Sequence, residues 1–84
     1  MNKLTVYLTH WCSDCRRARR FLLENNIPFE EINVDESPDA EELIMQANDG
    51  RRKVPTFELN GRFFSSSPFN SSQLAEDLAP LLKR

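Results

Sequence analysis

The chain has 84 residues and a mass of 9.8 kDa, which is enough for one domain, since a single core typically serves about 100–150 residues. Apolar residues make up 39% and charged residues 29%, proportions that exclude an intrinsically disordered chain. The net charge of -2 argues against a general nucleic-acid binder with a basic face. No apolar run approaches the roughly 20 residues that span a bilayer, and no signal-peptide segment is evident, so we expect a cytoplasmic protein.

Charge is unevenly distributed along the sequence. Residues 1–20 hold five Lys/Arg and one acid, residues 21–50 hold nine acids and no base, and residues 51–84 hold six bases and three acids. Blocks of this kind are typical of separate solvated faces on one domain.

The first half of the chain predicts a strand, a helix and a second strand. Residues 3–8 alternate apolar and polar side chains, with Leu4, Val6 and Leu8 on one face. Residues 16–25 carry one apolar helical stripe, and Asn25-Asn26 ends that helix. Residues 27–34 predict the second strand.

The second half predicts a helix, a hairpin and a last helix. Ser37-Pro38 is a helix start, and Gly50 a stop. Four residues form the expected buried stripe of this helix: Ala40, Leu43, Ile44 and Ala47. Strands at 54–59 and 62–64 are joined by Asn60-Gly61, a strong hairpin signal. After a loop at 65–68, a last helix opens at Asn70 with three inward residues, Leu74, Ala75 and Leu78, and ends or kinks at Pro80.

The resulting order is βαβαββα, which predicts an α/β domain over residues 1–84. A right-handed βαβ unit followed by ββα gives a four-stranded mixed sheet flanked by helices. No internal repeat or long linker divides the chain.

The only two cysteines, Cys12 and Cys15, are three residues apart. A disulfide framework would use four or more cysteines spread along the chain. A structural zinc site needs four ligands, and His10 is the only third ligand nearby, so we predict no metal. The pair therefore indicates redox chemistry.

The cysteines lie where the first strand ends and the first helix begins. Free N–H groups and the positive end of the helix dipole lower the pKa of a thiol in this position. We therefore expect Cys12 to be the nucleophile and Cys15, one turn further in, to be the resolving thiol. Asp14 disfavours a Cys12 thiolate and the arginines that follow it favour one, and the sequence leaves that balance open. We interpret His10 as a surface residue and Trp11 as a shield for the disulfide.

Four motifs resemble the glutaredoxin family in order and spacing: Thr5-Val6-Tyr7, Trp11-Cys12-x-x-Cys15, Val54-Pro55-Thr56 and Asn60-Gly61. The resemblance covers essentially the whole chain and is nearest to the mycoredoxin-type branch, which shares an Asn-x-Gly-x-Arg run (Asn48, Gly50, Arg52) before Val-Pro-Thr. It implies a thioredoxin-like fold and a thiol–disulfide oxidoreductase that takes part in electron transfer and cell redox homeostasis.

The resemblance also implies a substrate-binding surface. Pro55 would have a cis peptide bond and face the cysteines, and the Val54 backbone would pair with the substrate like an added strand. Trp11 would line the same surface. Arg52, with Arg51 and Lys53, could attract the carboxylates of a glutathione-like thiol, although a solvated basic loop explains the run equally well.

Two departures from glutathione-using relatives leave the small thiol open. Thr9 stands where many of them carry Lys, and Ser66-Ser67-Pro68 replaces their Gly-Gly and acidic residue. Ser66 and Ser67 could still bind a carboxylate. We expect a monomer without a tightly bound cofactor, with disulfide-bearing proteins as substrates and glutathione, mycothiol or a thioredoxin reductase as electron donor. The alternatives are an iron–sulfur carrier that uses Cys12 with small thiols, and a redox-inactive interaction domain.

Overall fold

The computed structural model describes residues 3–82, except for the side chain of Leu82, and strands and helices alternate along this stretch. The elements are β1 (Leu4–Leu8), α1 (Ser13–Glu24), β2 (Phe29–Asn33), α2 (Pro38–Ala47), β3 (Thr56–Leu59), β4 (Arg62–Ser65), α3 (Ser71–Asp77) and α4 (Ala79–Leu82). A short 3-10 turn, Val34–Glu36, connects β2 to α2. No helix within residues 3–82 has both the length and the apolar character needed to cross a membrane.

The strands form one mixed sheet in the order β2-β1-β3-β4. Strand β1 pairs in parallel with β2 and antiparallel with β3, so that Leu4 lies opposite Phe29 on one side and Leu59 on the other. Strand β4 closes the sheet as the second strand of the hairpin with β3. The predicted four-stranded mixed sheet is confirmed.

The two faces of the sheet bury different clusters. On one face the β1 side chains pack with residues of α1, β3 and α3: Leu4, Val6, Leu8, Ala18, Leu22, Phe57, Leu74 and Leu78. On the other face Tyr7 packs with Val34, Ala40 and Ile44. Tyr7, which the alternation places on the face opposite Leu4, Val6 and Leu8, is only 5% exposed, because α2 covers that face of the sheet. Strand β1 is thus the centre of the fold and holds the cysteine segment at its carboxyl end.

Several predicted boundaries are wrong by one to three residues. Strand β2 ends before Val34, because the Asn33 side chain accepts the Asp35 N–H at 3.0 Å and starts the 3-10 turn. Strand β3 begins at Thr56, because Pro55 has no N–H to donate to a strand ladder. Helix α1 begins at Ser13, three residues earlier than the apolar stripe indicates.

The buried stripe of α2 is narrower than the sequence predicts. Ala40 and Ile44 are buried, but Leu43 is 38% exposed and Ala47 is also exposed. One row of side chains therefore attaches this helix to the sheet.

The predicted helix starts and the hairpin turn are confirmed. The Ser37 hydroxyl accepts the Ala40 N–H at 3.3 Å, and the Asn70 side chain accepts the Gln73 N–H at 3.0 Å. Gly61 has a φ of 83°, in the left-handed region that a two-residue hairpin turn requires. The last helix breaks after Asp77 and resumes at Ala79, next to Pro80.

Candidate active site

Cys12 is the residue on which α1 begins. It has extended backbone angles (φ -88°, ψ 122°), and its Sγ accepts the N–H of Cys15 at 3.2 Å. Its carbonyl accepts the Arg16 N–H at 3.1 Å, the first hydrogen bond of the helix. The thiol therefore occupies the capping position, where a negative charge is stabilised by the free N–H groups and the helix dipole.

Cys15 lies one turn further in and is only 2% exposed. Burial is the largest of the causes that raise the pKa of the Cys15 thiol to about 12, and the neighbouring Cys12 sulfur contributes to the same rise. The backbone and hydroxyl of Thr9 oppose that rise in the Cys15 pKa. Thr9 itself is buried, and its Oγ1 forms no hydrogen bond of ordinary geometry with any residue in 3–82. The two thiols, both free in this structure, thus have very different surroundings.

Val54 and Pro55 lie against Cys12. The Cys12 thiol donates to the Val54 carbonyl, with Sγ and O 3.8 Å apart, and the Val54–Pro55 peptide bond is cis, as the family resemblance implies. Within the described part of the chain nothing accepts a hydrogen bond from the Val54 N–H. An unpaired backbone donor therefore lies on the residue that contacts Cys12 Sγ.

A buried threonine holds the loop that carries Val54. The Thr56 hydroxyl donates to the Lys53 carbonyl at 2.7 Å and accepts from Asn48 Nδ2 at 3.2 Å. Asn48 Nδ2 also donates to the Ile44 carbonyl at 2.7 Å and thereby ties the end of α2 to this loop. From the sequence, Asn48 and Thr56 were identified only as family motif residues, and this role was not predicted. The only sequence feature that could have indicated this contact is a polar residue at the end of a helix followed by a threonine at the start of a strand.

The two predicted loop serines have different surroundings. Ser66 is 6% exposed, its N–H donates to the Pro55 carbonyl at 3.2 Å, and its hydroxyl accepts the Asn70 N–H at 3.1 Å. Ser66 therefore fixes the loop to Pro55, because its backbone donor and its hydroxyl are used inside the fold. Ser67 is exposed and precedes a second cis peptide bond, Ser67–Pro68.

Arg52 belongs to a hydrogen-bond network that reaches Trp11 through Asp35. Arg52 Nη2 donates to Asp35 at 2.5 Å and Nε donates to Glu41 at 2.7 Å, while Trp11 Nε1 donates to the other Asp35 oxygen at 2.8 Å. The hydrogen bond from Trp11, together with Arg52, lowers the pKa of Asp35, and Glu41 and Asp35 raise the pKa of Arg52.

These hydrogen bonds change the expected roles of two predicted site residues, Arg52 and Trp11. The charge of Arg52 is already balanced by two carboxylates, so Arg52 positions the loop before Val54 and is not a free cation. Trp11 is 66% exposed, with its indole held at the surface beside Cys12 by Asp35 and not folded over the sulfurs as a shield. Trp11 is therefore available to contact a partner.

Charges on α1 surround the cysteines. Arg17 pairs with Asp14 at 3.1 Å, so the carboxylate expected to disfavour a Cys12 thiolate has its own counterion. Arg19 pairs with Glu31 of β2. His10 is exposed, as predicted. Within residues 3–82 no group of three or more His, Cys, Asp or Glu side chains could hold a metal ion.

Comparison with known proteins identifies the family of the chain that carries this site. The sequence model of the glutaredoxin family matches residues 4–64. The chain belongs to the glutaredoxin family. Mycoredoxin 1 of Corynebacterium glutamicum is 30% identical over 76 residues, which cover 90% of this chain and 94% of that protein. The glutaredoxin-like protein NrdH of Lactococcus lactis is 34% identical over 73 residues, which cover 87% of this chain and 96% of that one.

A solved structure agrees with the assignment to the glutaredoxin family. The NrdH-redoxin of Escherichia coli superposes with a TM-score of 0.73 at 26% identity, covering 88% of this chain and 92% of that chain. The architecture is therefore the thioredoxin-like fold, and the chain is a glutaredoxin-like thiol–disulfide oxidoreductase.

The anchor at Thr56 gives a testable prediction. Thr56→Val keeps the shape of the side chain but removes the hydroxyl, which leaves the part-buried Lys53 carbonyl without its donor. We expect the free energy of unfolding in urea to fall by about 1–3 kcal/mol. Thr5→Val is the matched control, because no described residue bonds to the Thr5 hydroxyl, and we expect it to change stability by less than about 0.5 kcal/mol. An equal loss of unfolding free energy in both variants would show that the Thr56 hydroxyl does not hold the loop.

The hydrogen bonds that link Arg52 to Trp11 through Asp35 give a second prediction. Trp11 is the only tryptophan, so its fluorescence anisotropy reports directly on how firmly the indole is held. Asp35→Ala is expected to lower that anisotropy, whereas Glu36→Ala, which removes a charge from the same turn, is not. Because the pKa of Asp35 is lowered, acidification of the wild type should release the indole only below the usual aspartate value of about 3.9. Unchanged anisotropy in Asp35→Ala would contradict the anchoring of Trp11.

Proposed function

We propose that this protein reduces protein disulfides and small-thiol mixed disulfides by dithiol exchange, with Cys12 as nucleophile and Cys15 as resolving thiol. The observation that carries the proposal is the hydrogen bond from the Cys15 N–H to Cys12 Sγ, combined with the burial of the Cys15 thiol. The first stabilises a thiolate on Cys12, and the second keeps Cys15 protonated until an intermediate forms.

The first step consumes the substrate disulfide. The Cys12 thiolate attacks one substrate sulfur, the substrate S–S bond breaks, and the electron pair leaves on the second sulfur, which takes a proton from water. The product is a mixed disulfide between Cys12 and the substrate. Its formation removes the negative charge from Cys12.

The second step uses that loss of charge. Two of the causes that raise the pKa of Cys15, the charge on Cys12 and the hydrogen bond with it, disappear once Cys12 is in a disulfide. Cys15 can then lose its proton and attack Cys12 Sγ, which breaks the bond to the substrate. The substrate leaves as a thiol, and Cys12 and Cys15 become the disulfide, so two electrons pass from protein to substrate.

The surface around Cys12 supports binding of an extended substrate segment. The free Val54 N–H can pair with the substrate main chain as an added strand does. Trp11, exposed and anchored, and Ser67, exposed beside the Ser66–Pro55 contact, would line that segment. Pro55 shapes the turn that presents Val54, while Arg52 and Ser66 hold the two flanking loops.

The electron donor is proposed by class. Exchange at two thiols requires no tightly bound cofactor, and a low-molecular-weight thiol such as mycothiol or glutathione, or a thioredoxin reductase, would reduce the Cys12–Cys15 disulfide. The names of the mycoredoxin and NrdH relatives are compatible with either kind of donor. Free thiols at this spacing persist in a reducing compartment, so we propose a cytoplasmic location.

Two cysteine variants test the division of roles. Cys12→Ser should abolish reduction of all disulfides, because the attacking sulfur is gone. Cys15→Ser should retain reduction of small-thiol mixed disulfides, which requires one cysteine, and should accumulate protein substrates as mixed disulfides visible by mass spectrometry.

Alkylation provides an independent measurement on the reduced wild type. Iodoacetamide near neutral pH should modify Cys12 first, because Cys15 is buried and its pKa is about 12. Faster modification of Cys15, or residual activity in Cys12→Ser, would overturn the assignment.

A further inference from the structure

Two of the four arginines on α1 have no counterion. Arg17 pairs with Asp14 and Arg19 with Glu31, but no described residue forms an ion pair with Arg16 or Arg20. Both are exposed, and they are four residues apart. Like charges at this spacing destabilise a helix, so folding alone does not explain the pair.

The unpaired arginines continue a row that starts at the nucleophile. Cys12, Arg16 and Arg20 are spaced by four residues, which places them one above another on the helix surface. A groove of about 240 Å³ runs along this side and is lined by Ser13, Arg16, Arg17 and Arg20. It faces away from the buried face of α1, so it is open to a partner.

The segment on the other side of Cys12 carries both signs of charge. Trp11, next to Cys12, is bonded to Asp35, and the residues that follow Asp35 include four more acids: Glu36, Asp39, Glu41 and Glu42. Arg52 pairs with Asp35 and Glu41, and its neighbours Arg51 and Lys53 belong to the loop that carries Val54. A partner bound at Cys12 therefore meets unpaired positive charge along α1 and a mixture of charges on this second side.

We infer that Arg16 and Arg20 bind acidic residues that flank the reactive cysteine of a protein substrate. The inference rests on the proposed function and adds a substrate class to it. A row of unpaired guanidinium groups attracts carboxylates, so the charge on α1 favours partners whose reactive cysteine is flanked by acids.

Spacing limits where the acids lie. Arg16 is four residues and Arg20 eight residues from Cys12, which is about 6 and 12 Å along the axis at a rise of roughly 1.5 Å per residue. An extended substrate rises about 3.3 Å per residue, and alternate side chains share a face. Carboxylates about two and four residues from the substrate cysteine therefore match the two arginines.

Paired peptides test the inference. Each peptide carries one cysteine as a mixed disulfide with 2-thiopyridine, and either Glu or Lys two and four residues away. Attack of Cys12 on the peptide sulfur releases the neutral 2-thiopyridone, whose absorbance gives the rate. We expect the wild type to react about tenfold faster with the Glu peptide at low salt, and the preference to shrink as salt screens the charges.

The variants remove equal charge at two places. Arg16→Gln with Arg20→Gln should abolish the preference for the Glu peptide, and the rate ratio cancels any effect of these charges on Cys12 itself. Lys3→Gln with Arg62→Gln is the matched control, because these cations lie at the other end of the sheet, and it should keep the preference. The same ratio in both double variants would overturn the inference. Failure of the proposed function would look different, since the wild type would then release thiopyridone from either peptide no faster than an ordinary small-molecule thiol at the same concentration.

Discussion

The hydrogen bond from the Cys15 N–H to Cys12 Sγ is the interaction on which the active site depends. It caps the N-terminus of α1, and the Cys12 sulfur takes the place that a serine or aspartate oxygen usually has there. It also fixes the second cysteine one turn into the helix, where the packing against β1 buries its thiol. One contact thus separates the partly exposed Cys12 sulfur at the helix start from a neighbour whose burial raises its pKa.

Three polar anchors present this sulfur to a substrate. Thr56 and Asn48 hold the loop that carries Val54, Ser66 ties the loop after β4 to the Pro55 carbonyl, and Arg52 with Asp35 holds Trp11. Each joins segments that are distant in the chain and lie near Cys12. Surface loops without a packed core are ordinarily mobile, so these hydrogen bonds keep the binding surface in shape before a partner arrives.

Local patterns were sufficient to predict most of the elements and the central chemistry. The alternation in β1, the caps at Ser37 and Asn70 and the Asn60-Gly61 turn each act within a few residues, and so does the cysteine spacing. The burial of Tyr7 and the exposure of Leu43 and Ala47 depend on how α2 packs on the sheet. The apolar periodicity of the sequence carries no information on that packing.

The polar anchors were not predictable for a related reason. Arg52 looked like a free cation in a basic run, and only the fold brings it to Asp35 and Glu41. Ser66 looked available for a ligand, and only the loop's return to Pro55 uses its groups. Long-range pairing decides which polar residues remain free, and the sequence order alone carries no such distances.

The burial of Cys15 at the start of α1 has a direct consequence for how its thiol ionises. Carbon-13 labelling of the cysteine Cβ atoms allows the Cys15 resonance to be followed by NMR in the reduced protein as the pH is raised. We expect this resonance to stay unchanged until the pH approaches about 12. Titration of Cys15 near the ordinary thiol value of about 8.5 would show that the fold does not keep this thiol protonated.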